Sequence, residues 1–139
     1  MSRPIERISS GSAFEDTAGY CRAVRAHRRI SVSGTVAPAA ANEQLADLDS
    51  YSQARRALEA ALGYAERLGA DGNSVIRTRM FLAPGAAWQD CARAHKELFG
   101  DHRPANTTLY VARLIPEGAL VEVELDVYAD GEEACAWHA

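Results

Sequence analysis

Residues 103–114 read RPANTTLYVARL, and residues 121–124 read VEVE. In the first stretch, Thr107 to Ala112 favours a strand, because β-branched and apolar residues fit a pleated surface. Around the second, apolar residues alternate with carboxylates from Leu120 to Tyr128, which is typical of a half-buried strand. The sequence PEG between the two predicts a turn. These stretches therefore predict the last two strands of a sheet.

The preceding part of the chain predicts four more strands and two helices. Strands are expected at Ile5–Ser9, Cys21–Ala26, Arg29–Thr35 and Asn73–Leu82. His27 and Arg28 form the expected hairpin turn between the second and third strands. Apolar residues recur every three or four positions in two longer segments, which predicts helices at Tyr51–Leu68 and Trp88–Phe99. Ser50 is expected to cap the start of the first helix, and Gly69 to end it.

These elements predict a single domain over residues 1–139 with the order β-β-β-α-β-α-β-β. That order indicates an α/β (α+β) fold, in which one mixed sheet carries both helices on one face. On the predicted 73–82 strand, alternate side chains are expected to face the helices: Ile76, Thr78, Met80 and Leu82. The opposite face is expected to mix charged and apolar side chains: Val75, Arg77, Arg79, Phe81, Glu122, Glu124 and Asp126. Such a face indicates an oligomer surface or a cleft rather than open solvent.

Composition argues against several classes of protein. The net charge of −4 disfavours binding to nucleic acid, whose phosphates it would repel. No apolar run approaches the roughly 20 residues of a membrane span, and the N-terminus lacks the apolar region of a secretory signal, so we expect a cytoplasmic protein without a membrane partner. Three widely spaced cysteines indicate free thiols: Cys21, Cys91 and Cys135. The scattered histidines show no metal-ligand spacing, so no metal and no cofactor is expected.

Charge is unevenly distributed along the chain. Arginines crowd an early segment: Arg22, Arg25, Arg28 and Arg29. After Arg113 the chain has no Lys or Arg, and its charged residues are all acidic. Two interpretations remain open. The two segments form solvated faces of opposite sign, or one face docks on the other in a neighbouring subunit.

Three landmarks in this order resemble the Rid (YjgF/RidA) family, also known as the endoribonuclease L-PSP type. They are GYCRAV at residues 19–24, SVSGT at residues 31–35, and the region from Arg103 to Glu124. The resemblance covers roughly residues 18–129. It implies a chorismate-mutase-like fold and a homotrimer with small-molecule clefts between adjacent subunits. In the family's deaminases, water attacks the carbon of an imine and ammonia leaves.

The resemblance also implies roles for particular residues. Glu122 would position or activate the attacking water, and Tyr20, Ser33 and Gly34 would line the pocket. At the position of Asn106 the deaminases carry an arginine that holds the substrate carboxylate. Asn106 has no charge and cannot form that bidentate pair. A ligand with a neutral amide, carbonyl or hydroxyl is therefore expected at a substrate-binding segment formed by Asn106, Thr107 and Thr108.

Arg79 or Arg22 could replace the missing arginine. Arg79 lies on the face of its strand expected to line the cleft, and Arg22 follows the pocket tyrosine. Alternatively, Arg79 pairs across the sheet with Glu122 or Glu124. Pairing with Glu122 would lower the pKa of that carboxyl and weaken it as a base.

Three functions compete on this sequence. The first is hydrolysis of a small C=N compound other than the usual 2-imino acid. The second is a non-catalytic trimer that binds or senses a metabolite. Ribonuclease activity fits least well, because the chain is acidic and lacks a stripe of basic and aromatic residues.

Overall fold

A computed structural model describes residues 4–130. Six strands form one sheet: β1 (Glu6–Ile8), β2 (Ala23–Ala26), β3 (Arg29–Val36), β4 (Val75–Leu82), β5 (Ala105–Tyr110) and β6 (Val121–Tyr128). The helices are α1 (Ala13–Ala18), α2 (Ser50–Arg67) and α3 (Trp88–Phe99). The strand order is β1-β2-β3-β6-β4-β5, in which β4 and β5 pair in parallel and all other neighbours are antiparallel. The predicted mixed sheet is confirmed.

The short helix α1 was not predicted. Its six residues are too few to show a helical period, but its ends carry ordinary caps. The Ser12 hydroxyl accepts the amide proton of Phe14, and Gly19 ends the helix with φ of +75°. Glu15 anchors α1 on the end of β1: it is 3% exposed and accepts hydrogen bonds from Ser9 and Ser10. The hydrogen bond from the Ser10 side chain is the main reason that the pKa of Glu15 is lowered.

Helices α2 and α3 pack against the sheet and each other, and they cover its core. Buried alanines along α2 allow close approach to side chains from β3 and β6. The N-cap of α2 is Asp49, which accepts the Ser52 amide proton at 2.8 Å, so the prediction of Ser50 was one residue late. Ser50 instead accepts the amide proton of Ala87 at 2.9 Å and ties α2 to the start of α3. Gly69 follows α2 with φ of +99°, as predicted.

A register shift at the start of β4 corrects the predicted facing of two residues. Pairing with β6 is irregular between Val75 and Arg77. Val75 is 2% exposed in the core, whereas Ile76 is 51% exposed. The prediction placed them the other way round, because strict alternation assumes a strand without a bulge. From Thr78 onward the predicted alternation holds.

Two of the four arginines in the early arginine-rich segment are buried, so this segment is not simply a solvated face. Arg22 and Arg25 are 9% and 1% exposed, respectively. Arg25 donates to the carbonyls of Leu68 (2.7 Å) and His27 (2.8 Å), and so closes the end of α2. Arg28 pairs with Asp130 of the same chain at 2.6 Å. Part of the charge asymmetry is therefore neutralised within one subunit.

Gln53 connects α2 to the segment that leads into β6. Its side chain is fully buried, and its Nε2 donates to the carbonyls of Leu45, Leu48 and Gly118 at 2.9–3.2 Å. Its Oε1 accepts the Leu120 amide proton at 2.8 Å. One amide thus satisfies backbone groups of two loops.

We predict that Gln53→Ala lowers the free energy of unfolding by about 2–4 kcal/mol, since it leaves buried backbone groups without partners and opens a cavity. Urea denaturation followed by circular dichroism measures this loss. Gln89→Ala on the exposed face of α3 is the matched control and should change stability by less than about 0.5 kcal/mol. Equal losses for the two variants would contradict the assignment.

Candidate functional site

A cleft of about 660 Å³ opens where β2 separates from β3. The last backbone bond between them runs from the Ser33 amide to the Arg22 carbonyl, at 2.9 Å. Beyond this point one edge of β3 faces the cleft. The polar part of the wall includes Tyr20, Arg22, Ser33, Glu122 and Glu124. Apolar residues complete it, among them Phe14, Val36, Tyr64 and Ile115. The volume lies in the usual range for a small-molecule site.

A bulge in β3 shapes the floor of the cleft. The pairing of β3 with β6 shifts register between Val32 and Thr35, so Ser33 and Gly34 lie at the irregularity. The Ser33 hydroxyl donates to the Cys21 carbonyl at 2.8 Å. Its proton is therefore engaged, and towards a ligand the oxygen can act as an acceptor.

Gly34 makes room for the carboxylate of Glu122. A Cβ atom at residue 34 would lie 2.9 Å from Oε2 of Glu122, closer than side-chain atoms normally approach. Gly34 is thus needed to leave space for the Glu122 carboxylate in this position, and not because of a positive φ angle. The sequence placed Gly34 in the pocket, and the structure shows which side chain it accommodates.

Glu122 is a half-buried carboxyl on β6 with a raised pKa. Burial is the main cause, and the neighbouring Glu124 adds to it, while the Arg22 guanidinium acts in the opposite direction. A carboxylate whose charge is poorly solvated accepts a proton more readily than a surface carboxylate does. Glu122 is therefore suited to act as a general base.

Arg79 does not pair with Glu122. Its Nη1 lies 2.9 Å from Oδ2 of Asp126 and 3.3 Å from Oε1 of Glu124. The predicted pairing with Glu124 is confirmed, and Asp126 joins it. Glu122 therefore remains free of the ion pair that would have lowered its pKa. Arg79 lies outside the cleft wall, and its guanidinium is engaged on the open face of the sheet.

Asn106, Thr107 and Thr108 lie on β5, at the opposite edge of the sheet from β1. Asn106 donates to the Thr78 hydroxyl at 3.0 Å and accepts from the Thr108 hydroxyl at 3.0 Å. Thr107 accepts from Arg77 at 3.0 Å. The chain thus brings Tyr20, Ser33, Gly34 and Glu122 together, but it does not bring the β5 residues to the same cleft.

The hydrogen bonds of Asn106 continue into the interior. Thr78 is fully buried, and its hydroxyl lies 2.7 Å from Nε2 of His95. Because Thr78 accepts from Asn106, its proton is available to an unprotonated Nε2 of His95. Burial lowers the pKa of His95, which fits the neutral imidazole. His95 is therefore a structural residue whose Nε2 has a hydrogen-bond partner.

The described residues offer little to a metal or to a thiol mechanism. Within residues 4–130, no group of three or more His, Cys, Asp or Glu side chains is placed to hold a metal ion. Burial raises the pKa of Cys91 to about 11, which makes it a poor nucleophile. Cys21 and Cys91 are unpaired, and Cys135 lies outside the described residues. No helix in this part of the chain has the length and apolarity needed to span a membrane.

Much of the apolar wall of the cleft could not be predicted from the sequence. Phe14 lies on the unpredicted α1, and Tyr64 lies on α2, where the helical period gives no sign of a ligand site. Ile115, which is 83% exposed, comes from the turn before β6. No local pattern marks these residues, because their proximity results from the tertiary fold.

Comparisons with known proteins agree on one family. A family model described as Endoribonuclease L-PSP matches residues 10–129. An uncharacterised protein of Streptomyces coelicolor is 38% identical over 127 residues, covering 91% of this chain and 94% of that protein. The 2-iminobutanoate/2-iminopropanoate deaminase of Mus musculus is 30% identical over 125 residues, or 89% of this chain and 92% of the deaminase. The crystal structure of Rv2704 from Mycobacterium tuberculosis, a member of the YjgF/YER057c/UK114 family, superposes with a TM-score of 0.80 at 33% identity, covering 91% of this chain and all of that one.

We predict that Gly34→Ala displaces Glu122 and lowers its pKa toward the ordinary value, because the added Cβ occupies the space of Oε2. The fold should persist, since the displaced group is the end of a flexible side chain. A ¹³C NMR titration of the glutamate carboxyls measures the change.

The matched control is Gly63→Ala in α2, where an added Cβ meets nothing within 4 Å. This variant should raise the free energy of unfolding by up to about 1 kcal/mol through helix propensity and leave Glu122 unchanged. An identical Glu122 titration in Gly34→Ala and the unmodified chain would show that the close packing does not control this carboxyl.

Proposed function

Because the chain belongs to the endoribonuclease L-PSP (YjgF/RidA) family and holds a half-buried carboxyl in a cleft, we propose that it hydrolyses a small, reactive C=N compound. Glu122 is the general base. The observation that carries this proposal is the raised pKa of Glu122, which burial in the cleft produces. The similarity to a 2-iminobutanoate/2-iminopropanoate deaminase supports the reaction class.

The proposed reaction needs one water molecule and no oxidant. Glu122 accepts a proton as the water oxygen bonds to the imine carbon, and the C=N π electrons move to nitrogen. The protonated Glu122 gives this proton to the nitrogen, which yields a neutral carbinolamine. The same carboxylate then transfers the hydroxyl proton to nitrogen, so that the C=O bond forms as the C–N bond breaks and ammonia leaves.

The cleft is proposed to be completed by a second copy of the chain in a homotrimer. Strand β5 is exposed along most of its length, and its side chains include Leu109 at 42% and Tyr110 at 51%. A neighbouring β5 would bring Asn106, Thr107 and Thr108 to a cleft that their own chain does not offer them. The open face of the sheet, with its Arg79 ion pairs and the exposed Ile76, provides further surface for such packing.

We predict that Glu122→Gln lowers the rate of ammonia release about 100-fold or more, because an amide cannot accept the proton of water. Imines generated in situ, with and without a carboxylate, serve as substrates. Glu124→Gln is the control, since this second cleft carboxylate pairs with Arg79 at 3.3 Å and should affect the rate less. Full activity in Glu122→Gln would contradict the assigned role. Ligand binding without turnover in the unmodified chain would favour the metabolite-binding function.

The Glu122→Gln variant should retain its stability. Burial raises the pKa of Glu122 in the folded chain, so the folded state binds this proton more tightly than the unfolded state. Stability therefore falls as pH rises through the window between the unfolded and folded pKa values. Above that window, Glu122→Gln should be at least as stable as the unmodified chain in thermal unfolding. A large loss of stability at neutral pH would instead indicate a structural carboxylate.

We predict that light scattering after gel filtration gives a mass three times the 15.0 kDa of one chain. Leu109→Glu should reduce this mass, because a charge on an exposed apolar residue of β5 would be buried in the contact. Gln89→Glu, which adds the same charge on α3, should leave the trimer intact. A monomer at all concentrations would refute the shared cleft.

A further inference from the structure

We propose that Arg22 is the anion-binding residue of the cleft, and that the ligand is a monocarboxylate with an apolar or aromatic body. This inference rests on the proposed function only in placing a ligand in the same cleft. It assigns to Arg22 the recognition of charge that Asn106 cannot provide. The geometry of Arg22, rather than any property of β5, points to this role.

Arg22 is a buried guanidinium with unused donors. The residue is 9% exposed, and within residues 4–130 its Nε and Nη2 have no hydrogen-bond partner. Buried N–H groups are nearly always paired, and an unpaired charged donor is costly. The other buried arginine of this segment, Arg25, also leaves its Nη2 unpaired, but its Nε and Nη1 donate to two backbone carbonyls. Arg22 therefore differs from an ordinary structural arginine.

The two free nitrogens form one edge of the guanidinium. The Nε–H bond and one N–H bond of Nη2 point in the same direction, so together they match the two oxygens of a single carboxylate. Solvent does not reach either atom, so a carboxylate would bind them only after a neighbouring side chain has moved. The Tyr20 ring, with its centroid 5.6 Å from Cζ of Arg22, is 41% exposed and lines the cleft beside this guanidinium.

The surrounding charges favour an anion with one negative charge. Glu122 and Glu15 are near enough to Arg22 for its charge to act against protonation of each. Neither accepts a hydrogen bond from Nε or Nη2, and Glu15 is bound by Ser9 and Ser10 instead. Because Glu122 and Glu124 also line the cleft, a doubly charged phosphate would meet more repulsion than a carboxylate.

The rest of the wall suits an apolar body. Phe14, Tyr64 and Ile115 line the cleft together with Val36. A cleft of about 660 Å³ is larger than a ligand of three or four carbons requires. A carboxylate on Arg22 would direct such a body along these side chains, with Glu122 on the polar side.

Three probes that share a phenyl ring test the proposal: benzoate, its neutral isostere benzamide, and phenyl phosphate. Isothermal titration or NMR titration gives the dissociation constants, and no turnover is needed. The unmodified chain should bind benzoate about tenfold or more tightly than benzamide, since two charge-assisted hydrogen bonds are at stake. Arg22→Gln should abolish this preference. Arg22→Lys keeps the charge without the paired donors and should give an intermediate ratio.

Arg29→Gln is the matched control, because it removes the same charge from an exposed residue at the far end of β3. It should leave benzoate binding unchanged. If Arg22→Gln does not fold, the test rests on Arg22→Lys and on the ratios of the probe dissociation constants for the unmodified chain. The proposal is overturned if the unmodified chain shows no preference for benzoate, if folded Arg22 variants keep that preference, or if phenyl phosphate binds more tightly than benzoate.

The outcome is separable from that of the proposed hydrolysis. Benzoate selectivity through Arg22 with no ammonia release from any imine would support the binding residue and refute the reaction. Ammonia release that depends on Glu122, combined with equal binding of benzoate and benzamide, would support the reaction and refute the role of Arg22.

Discussion

The irregular pairing of β3 with β6 determines how the cleft of this protein is built. Where the register shifts between Val32 and Thr35, β3 carries Ser33 and Gly34 out of the regular ladder. The shift lets the Glu122 carboxylate occupy the space beside Gly34, and it lets Ser33 hold the carbonyl of Cys21. Through Cys21 the bulge also fixes the neighbouring Arg22. A regular ladder would offer no such space, and Glu122 and Arg22 would lose their positions.

Glu122 and Arg22 carry opposite charges, and burial in the cleft wall costs both of them free energy. Glu122 and Arg22 both lie largely out of water, and each loses solvation that a surface residue keeps. Their mutual attraction offsets part of this cost, but burial still dominates for Glu122. The fold thus tolerates two poorly solvated charged groups in the cleft, while the alanine-rich contact of α2 with the sheet contributes to its stability.

The sequence predicted the regular parts of this fold and failed where the backbone departs from a period. Alternation located β6 and most of β4, and the three- and four-residue spacing located α2 and α3. It could not locate α1, whose six residues are defined by caps, or the bulge that exchanges the faces of Val75 and Ile76. In the cleft, family landmarks identified Glu122, Tyr20, Ser33 and Gly34. The burial of Arg22 is a product of the tertiary fold, which no local pattern encodes.

The hydrogen bonds of Asn106 limit how this protein can change over evolutionary time. Its amide donates to a buried threonine hydroxyl that in turn lies against the His95 imidazole. An arginine at residue 106 would lose the hydrogen bonds that Asn106 makes with Thr78 and Thr108, and its longer side chain would have to fit beside Thr108. Residues 78, 95 and 106 are therefore energetically coupled, and a larger side chain at residue 106 is compatible with the fold only after its neighbours have changed. The interior of the protein, as much as its cleft, restricts which residues this position accepts.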